Sequence, residues 1–412
     1  MGAGGIEREG GEVEVWRGEE AEPWVWSRQP WLPSAFGGEE DWDEQRQGSM
    51  RGAMGVPDGQ GGGGGGGRSL RGSSHSNLER CFLWGERGEK ETQRCHANVY
   101  FFGISKCGTT SLAQWMTHHP QLRWVTKVDS RKSGSESHVL EYLRSKEDFA
   151  RNYPRTAPEA WESNPVIDYT PHYSIMANVP YKILSLYGKS AYNGDVKYMV
   201  LLREPVARTV SSWQFKYDMP GGKEPRGEKR TLAEVFAEGK RRVGDLLHCQ
   251  SEHRLDDLSF STGRLKVDLE TCNPKEFLES NDYLTHVGKS MYYMQLKRWF
   301  SLFGQENIKV IFLEDMAADP VETLSEVFSF LGVDLVDVEA APKGPASRED
   351  WEEIVSVSHN PTHEQRKQLL DKQVTPELVQ SMRTFFAPHN AQLQELLGRP
   401  LPESWSLPKA FG

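Results

Sequence analysis

At 412 residues, with a formal net charge of −10 and an isoelectric point near 5.7, the chain is too acidic for general nucleic-acid binding, although a local basic cleft for an anion is not excluded. Its five cysteines, Cys81, Cys95, Cys107, Cys249 and Cys272, are scattered and lack metal-ligand spacing, which excludes a disulfide framework and leaves room for one disulfide. No apolar run reaches the roughly eighteen residues of a membrane span, and no basic start leads into an apolar core, so neither a transmembrane helix nor a signal peptide is predicted.

Residues 1–96 are unlike the rest. They carry the run Gly61 to Gly67, many Glu and Arg, and little aliphatic content. Such a segment buries too little apolar surface to offset its ordering entropy, so it is predicted to be low-complexity and disordered. Trp16, Trp24, Trp26, Trp31 and Trp42 are unusual there; a docking segment and a misassigned start both fit. Residues 97–412 have the size of one large α/β domain.

Val99 to Phe102 are β-branched or aromatic and suit a buried strand. Gly103 to Gly108 form a glycine-bearing turn, and Thr109 to His119 have helical spacing with Leu112, Trp115 and Met116 on one side. A short strand is predicted at Leu122 to Val125, a polar loop over 127–137 and a helix near Val139 to Arg144. Val166-Ile167-Asp168 is a third strand, and Ile175 to Tyr187 a helix ended by Gly188. Val196 to Leu202 is the clearest strand. It runs into Arg203-Glu-Pro-Val-Ala-Arg-Thr-Val-Ser-Ser212, where Pro205 suits a first helical turn. After a flexible loop over 218–230 comes a helix over Thr231 to Arg242, with Thr231 and Glu234 as capping box. Then follow a helix from Ser290 to Phe303, a strand from Ile308 to Leu313, a helix from Pro320 to Leu331, and helices over Pro376 to Phe386 and His389 to Leu397. Alternating strands and helices predict an α/β, three-layer, P-loop-like fold: a central parallel sheet flanked by helices. Ligands then bind beyond the carboxyl ends of the strands, a rule that places Lys106, Asp168, Arg203 and Asp315 along one rim.

The stretch after the first strand makes an anion cradle. Free N–H groups and the positive end of a helix dipole converge there, Lys106 adds a charge, and Thr109 and Thr110 add hydroxyls. Gly103 and Gly108 have Walker A spacing, yet Thr109 stands where that motif has its lysine. The second stretch offers Arg203 as a fork and Ser211 as a hydroxyl for another phosphate; a structural Arg203–Glu204 pair is the plainer alternative. Cys107 is read as a small residue filling the loop, although a lysine and a helix N-terminus beside it would lower its pKa. His118 and His119 are read as facing solvent or the helix dipole, and Trp299 and Phe300 as core.

Lys106-x-Gly108-Thr109-Thr110 after one strand, and Arg203-x-Pro205-x-x-Arg208-x-x-Ser211 after another, resemble the two nucleotide-binding motifs of sulfotransferases that use 3′-phosphoadenosine 5′-phosphosulfate (PAPS). Ser290 to Trp299, Ile308 to Asp315, Asp319-Pro320 and Phe330-Leu-Gly332 look like the later half of that family. The resemblance covers about 97–335. It is strongest to the carbohydrate branch that modifies heparan sulfate glucosamine, to which Lys106 and Glu136-Ser137-His138 correspond. It implies a PAPS-dependent enzyme that sulfates a hydroxyl or amino group of a glycan, without a metal. Lys106 meets the bridging oxygen and Glu136 takes the acceptor proton, with His138 orienting. The loop Ser105, Lys106, Cys107, Gly108, Thr109 and Thr110 holds the 5′-phosphosulfate, its N–H groups from Cys107 to Thr110 taking the phosphate. Arg203 and Ser211 hold the 3′-phosphate. The resemblance also implies the Golgi lumen and a glycan partner; the acidic charge argues against nucleic acid, no membrane contact is visible in the chain, and a monomer is expected. Two departures stand out. Asp168-Tyr169-Thr170-Pro171 replaces a Glu-Lys-[ST]-Pro and so lacks a lysine. The family's basic loop before the last helices and its bracketing cysteine pair have no clear match, Arg366 and Lys367 being weak candidates. The alternatives are a P-loop kinase or NTPase, with Ile308 to Asp315 as a Walker B strand, and an inactive nucleotide- or glycan-binding homologue.

Overall fold

The computed structural model describes residues 81–84, 92–125, 134–142, 164–176, 178–217, 229–253, 286–335, 344–357 and 372–406. The expectations for residues 1–80, most of the 127–137 loop, 218–228, Cys272, Arg366 and Lys367 lie outside them. Within 81–96, β1 (Cys81–Trp84) and β2 (Thr92–Cys95) pair antiparallel, so structure begins before residue 97.

Five parallel strands make the central sheet: β3 (Val99–Gly103), β4 (Arg123–Trp124), β5 (Val166–Tyr169), β6 (Lys197–Leu202) and β7 (Ile308–Phe312). Their order is β4-β5-β3-β6-β7. Helix α1 (Thr109–Met116) leads from β3 out to β4, and α2 (Val139–Tyr142) and α3 (Val179–Tyr187) flank β5 in sequence. Helix α4 (Pro205–Tyr217) leaves β6, with α5 (Leu232–Glu252) and α6 (Tyr292–Phe303) before β7. Past β7 come α7 (Leu313–Ala318), α8 (Pro320–Leu331), α9 (Arg348–Ser356) and α10 (Pro376–Leu397). The chain leaves β3 toward one edge and β6 toward the other. Their carboxyl ends therefore flank a topological switch point, where a ligand crevice opens.

All five residues of β3 are buried, as a strand covered on both faces requires. Phe102 stacks on Trp299 with centroids 3.8 Å apart, and Tyr198 stacks on Phe303 at 4.3 Å, locking α6 to the sheet. Trp299 and Phe300 are core residues, as the helical spacing implied.

Several boundaries differ from the sequence reading. The helix expected from Ile175 begins at Val179, because Pro180 fits a first turn, and Pro171–Ile175 wind into a 3-10 helix. Helix α5 runs ten residues past Arg242, since Val243 and Leu246 prolong the buried stripe of Val235 and Phe236. Gly239 lets that helix approach: a Cβ there would collide with the Val287 side chain. The two C-terminal helices are one. Pro388 sits inside α10, where Phe386, Leu393 and Leu397 pack on either side of it and outweigh the lost hydrogen bond. His119 does not face solvent. It is buried, its Nε2–H donating to the Asp334 carbonyl at 2.8 Å.

Candidate functional site

The loop after β3 is bent by two left-handed residues, Lys106 (φ 71°) and Gly108 (φ 93°). The Cys107 N–H closes the turn on the Ile104 carbonyl at 3.2 Å, so it is spent within the loop and is not a cradle donor. The first intrahelical bond is Leu112 N–H to the Gly108 carbonyl, 3.2 Å. The donors left facing the crevice are those of the first turn of α1, whose N-cap Gly108 brings no side chain to cover them. A Cβ on Gly108 would meet Leu313 Cδ1 at 2.8 Å. Cys107 is fully buried, and burial pushes its thiol up to about 11; it is a packing residue, not an activated thiol.

Beyond β6, the Glu204 carboxylate accepts from Val206 N–H at 3.1 Å and Ala207 N–H at 2.6 Å, capping α4 instead of pairing with Arg203. Arg203 turns the other way, and its NH1 donates to the Lys106 carbonyl at 3.4 Å. The two predicted anion-binding stretches thus touch across the switch point. Arg208, fully buried, ties the same loop from below. It donates to the Ser105 carbonyl at 3.0 Å, Ser105 Oγ at 3.4 Å and the His286 carbonyl at 2.5 Å. The Tyr292 hydroxyl donates to the Arg203 carbonyl at 2.7 Å. Ser211 is half-buried, whereas its neighbour Ser212 is turned inward to Arg208 and His286. Lys106 Nζ lies 4.1 Å from the centroid of Phe215, an exposed aromatic in the last turn of α4.

On the β5 side, His138 lies between two carboxylates, Nε2 3.0 Å from Glu136 and Nδ1 2.9 Å from Glu141. Burial opposes its charge, but the bonds to both carboxylates prevail and hold it at about 9. Glu141 also meets His172 at 3.2 Å. Its burial is likewise outweighed, by His138 and His172, and it sits at about 2. Glu136 is the more exposed carboxylate, its side chain 43% accessible against 9% for Glu141, and is the one open to an incoming molecule. The cluster is anchored from beneath: Ser137 Oγ donates to the fully buried Asp168, and the Tyr169 hydroxyl donates to Thr109 Oγ1 at 3.2 Å. Lys289 Nζ donates to Ser105 Oγ at 3.4 Å, and the Glu141 and Glu136 charges act on it from the other side. The chemistry available is an anion seat, a lysine beside it, and a carboxylate–imidazole pair within the same crevice.

Ser105, Lys106, Gly108, Thr109, Thr110 and Arg203 come together at the switch point, with Glu136 and His138 on the adjoining side. Asp168 and Asp315 do not join them at the rim. Asp168 is buried within β5, and Asp315 is exposed on α7, while Glu314 accepts from Glu204 N–H at 2.9 Å. A Walker B carboxylate is therefore not offered to the crevice. Sequence reasoning passed over His172, Tyr292 and Lys289, and named Arg208 within the second motif without giving it a partner. For Lys289 the available signal was a cation between Gly288 and Ser290 just ahead of a helix. Among the described residues, no group of three or more His, Cys, Asp or Glu is placed to hold a metal ion.

A family model described as "Sulfotransferase domain" matches residues 97–356. The chain is 22% identical to heparan sulfate glucosamine 3-O-sulfotransferase 5 of Mus musculus over 73% of its own length and 71% of that protein's. It is 22% identical to carbohydrate sulfotransferase 15 of Rattus norvegicus over 79% of its own length, but spans only 58% of that protein. Among solved structures, a sulfotransferase from Alicyclobacillus acidocaldarius aligns over 76% of this chain and 99% of that one at 20% identity, with a TM-score of 0.46.

Proposed function

The chain belongs to the sulfotransferase domain family, and on that premise we propose that it moves a sulfuryl group from PAPS to a hydroxyl or amino group of a glycan. The observation that carries the reading is the Arg203–Lys106 contact, which puts two cationic strand ends in one crevice, as a nucleotide with phosphates at both ends of its ribose needs. The first-turn N–H groups of α1 and the Thr109 and Thr110 hydroxyls bind the 5′-phosphosulfate. Arg203 and Ser211 bind the 3′-phosphate. Glu136 accepts the acceptor's proton, and His138 holds Glu136 in place through its 3.0 Å contact. The acceptor oxygen or nitrogen forms a bond to sulfur while the sulfur–oxygen bond to the 5′-phosphate breaks. That electron pair stays on the phosphate oxygen, where Lys106 offsets its charge. Rate acceleration then comes from placement and charge stabilisation.

The glycan acceptor is supported by relatives named for heparan sulfate and carbohydrate sulfation. An oxidising lumen such as the Golgi is supported by Cys249, which is disulfide-bonded. A monomer with PAPS and glycan as its only partners completes the reading.

The test is a screen with labelled PAPS against partially desulfated heparan sulfate, galactans, and phenolic and steroid acceptors. Label on a glycan is expected. Label only on small phenols or steroids would overturn the acceptor assignment, and magnesium-dependent ATP hydrolysis without sulfuryl transfer would restore the kinase reading. Nucleotide binding without turnover would point to the inactive homologue, whose motivating feature is the uncharged Tyr169.

A further inference from the structure

Lys289 is 7% exposed, and the one hydrogen bond of its ammonium among the described residues is the 3.4 Å donation to Ser105 Oγ. No carboxylate of the described residues lies within ion-pair distance of Nζ. A buried ammonium without a counter-charge is unfavourable unless something else supplies the anion. Its position says where that anion sits. Ser105 precedes Lys106 on the nucleotide side, and Glu136 and Glu141 act on Lys289 from the acceptor side.

We propose that Lys289 is a second catalytic cation, whose Nζ contacts the sulfuryl oxygens as the group passes between the 5′-phosphate and the acceptor. The inference rests on the nucleotide reading above. Bond making and breaking are as described there, with the acceptor proton going to Glu136 and the electron pair to the 5′-phosphate beside Lys106. Lys289 neutralises the three oxygens that travel with sulfur, while Tyr169 on β5 brings no charge to the site.

Lys289 is held at about 7, by burial first and then by Arg208 and Lys216, with Glu141 and Glu136 opposing. The other titratable group that feels its charge is His172, whose own pKa Lys289 helps to lower. At pH 8.5 the ammonium is largely deprotonated, and an arriving sulfuryl group restores its proton. Lys182 also titrates near 8, so variants at 289 carry the assignment.

The experiment is calorimetric titration of the full chain with PAPS, and with the non-sulfated 3′,5′-adenosine bisphosphate, at pH 8.5 in two buffers of different protonation enthalpy. Nucleotide phosphates are fully ionised there, their second pKa being about 6. Wild type is expected to take up about one proton with PAPS and less than half as much with the bisphosphate. Lys289→Met and Lys289→Arg are expected to take up none. With a glycan found in the acceptor screen, transfer falls about 100-fold in the methionine variant and less in the arginine variant, the size of loss that removing one charge-stabilising donor produces. Proton uptake unchanged in either variant, or equal for the two nucleotides, overturns the sulfuryl contact while leaving the nucleotide site standing. Failure of wild type to bind either nucleotide overturns both.

Discussion

Arg208→Met is the most exposing perturbation of the loop that carries Lys106. The substitution keeps most of the side-chain volume and removes the charge and every donor. Of the guanidinium's bonds, those to the Ser105 carbonyl at 3.0 Å and the His286 carbonyl at 2.5 Å dominate; those at 3.4 Å to Ser105 Oγ, Ser212 and Ser290 add little. Two charge-assisted bonds contribute about 1.5–3 kcal/mol each. Relief from burying a guanidinium offsets part of this, so a net loss of about 3 kcal/mol is expected. For a domain this large that corresponds to a fall in Tm of about 4–5 °C. Because Ser105 is released, affinity for the adenosine bisphosphate should fall at least tenfold even at temperatures where the variant is folded. Arg208→Lys should recover less than half of either loss, since an ammonium cannot span both carbonyls. The measurements are a thermal melt by circular dichroism and calorimetric titration. A methionine variant that melts within 2 °C of wild type and binds the nucleotide equally would refute the clamp.

Lys106→Ala should lower transfer from labelled PAPS by about 100-fold or more with an unchanged melt, because its side chain lies over exposed Phe215 and not in the core; full turnover would remove it from the mechanism. Arg203→Ala should weaken binding of the bisphosphate about 10- to 100-fold, the worth of a charge-assisted phosphate contact, and unchanged calorimetric affinity would contradict its assignment. The His138 pair gives a pH signature. Its folded pKa, about 9, lies above the ordinary 6.5, so its stabilisation is fully present below pH 6.5 and is lost as pH rises through 9. The half-exposed partner Glu136 screens this to about 1–2 kcal/mol, and His138→Gln should flatten that part of the stability profile in urea titrations from pH 6 to 10.

The two anion-binding stretches were legible because each is local: a strand, a break and a helix start occupy a dozen consecutive residues, and the chemistry follows from spacing. The sheet was legible for the same reason, through the apolar runs at Val99, Val166, Val196 and Ile308. What was not legible depends on crossings in space. Arg208 reads as one more polar residue on a helix until the 286–290 segment folds over it. Lys289 reads as a solvated lysine until Ser105 arrives from 184 positions away. The rim rule misplaced Asp168 because β5 continues to Tyr169, leaving the carboxylate inside the sheet under Ser137. It misplaced Asp315 because β7 stops at Phe312 and a helix turns that side chain outward. Proline misled in both directions: Pro180 set a helix start later than the apolar periodicity implied, whereas Pro388 failed to end one.

The short turn Glu403–Trp405 bears on how the molecule is made. Trp405 packs edge-on against Phe312, and its indole N–H donates at 2.9 Å to Glu314, which in turn holds the Glu204 N–H. The partner of that indole is translated 91 residues earlier. A nascent chain can therefore lay down all five strands on the ribosome while the underside of the Arg203 corner is still missing its wedge. Nucleotide grip should mature last, after the sheet, and engineering that trims or fuses the chain near Trp405 acts on the crevice and not merely on a tail.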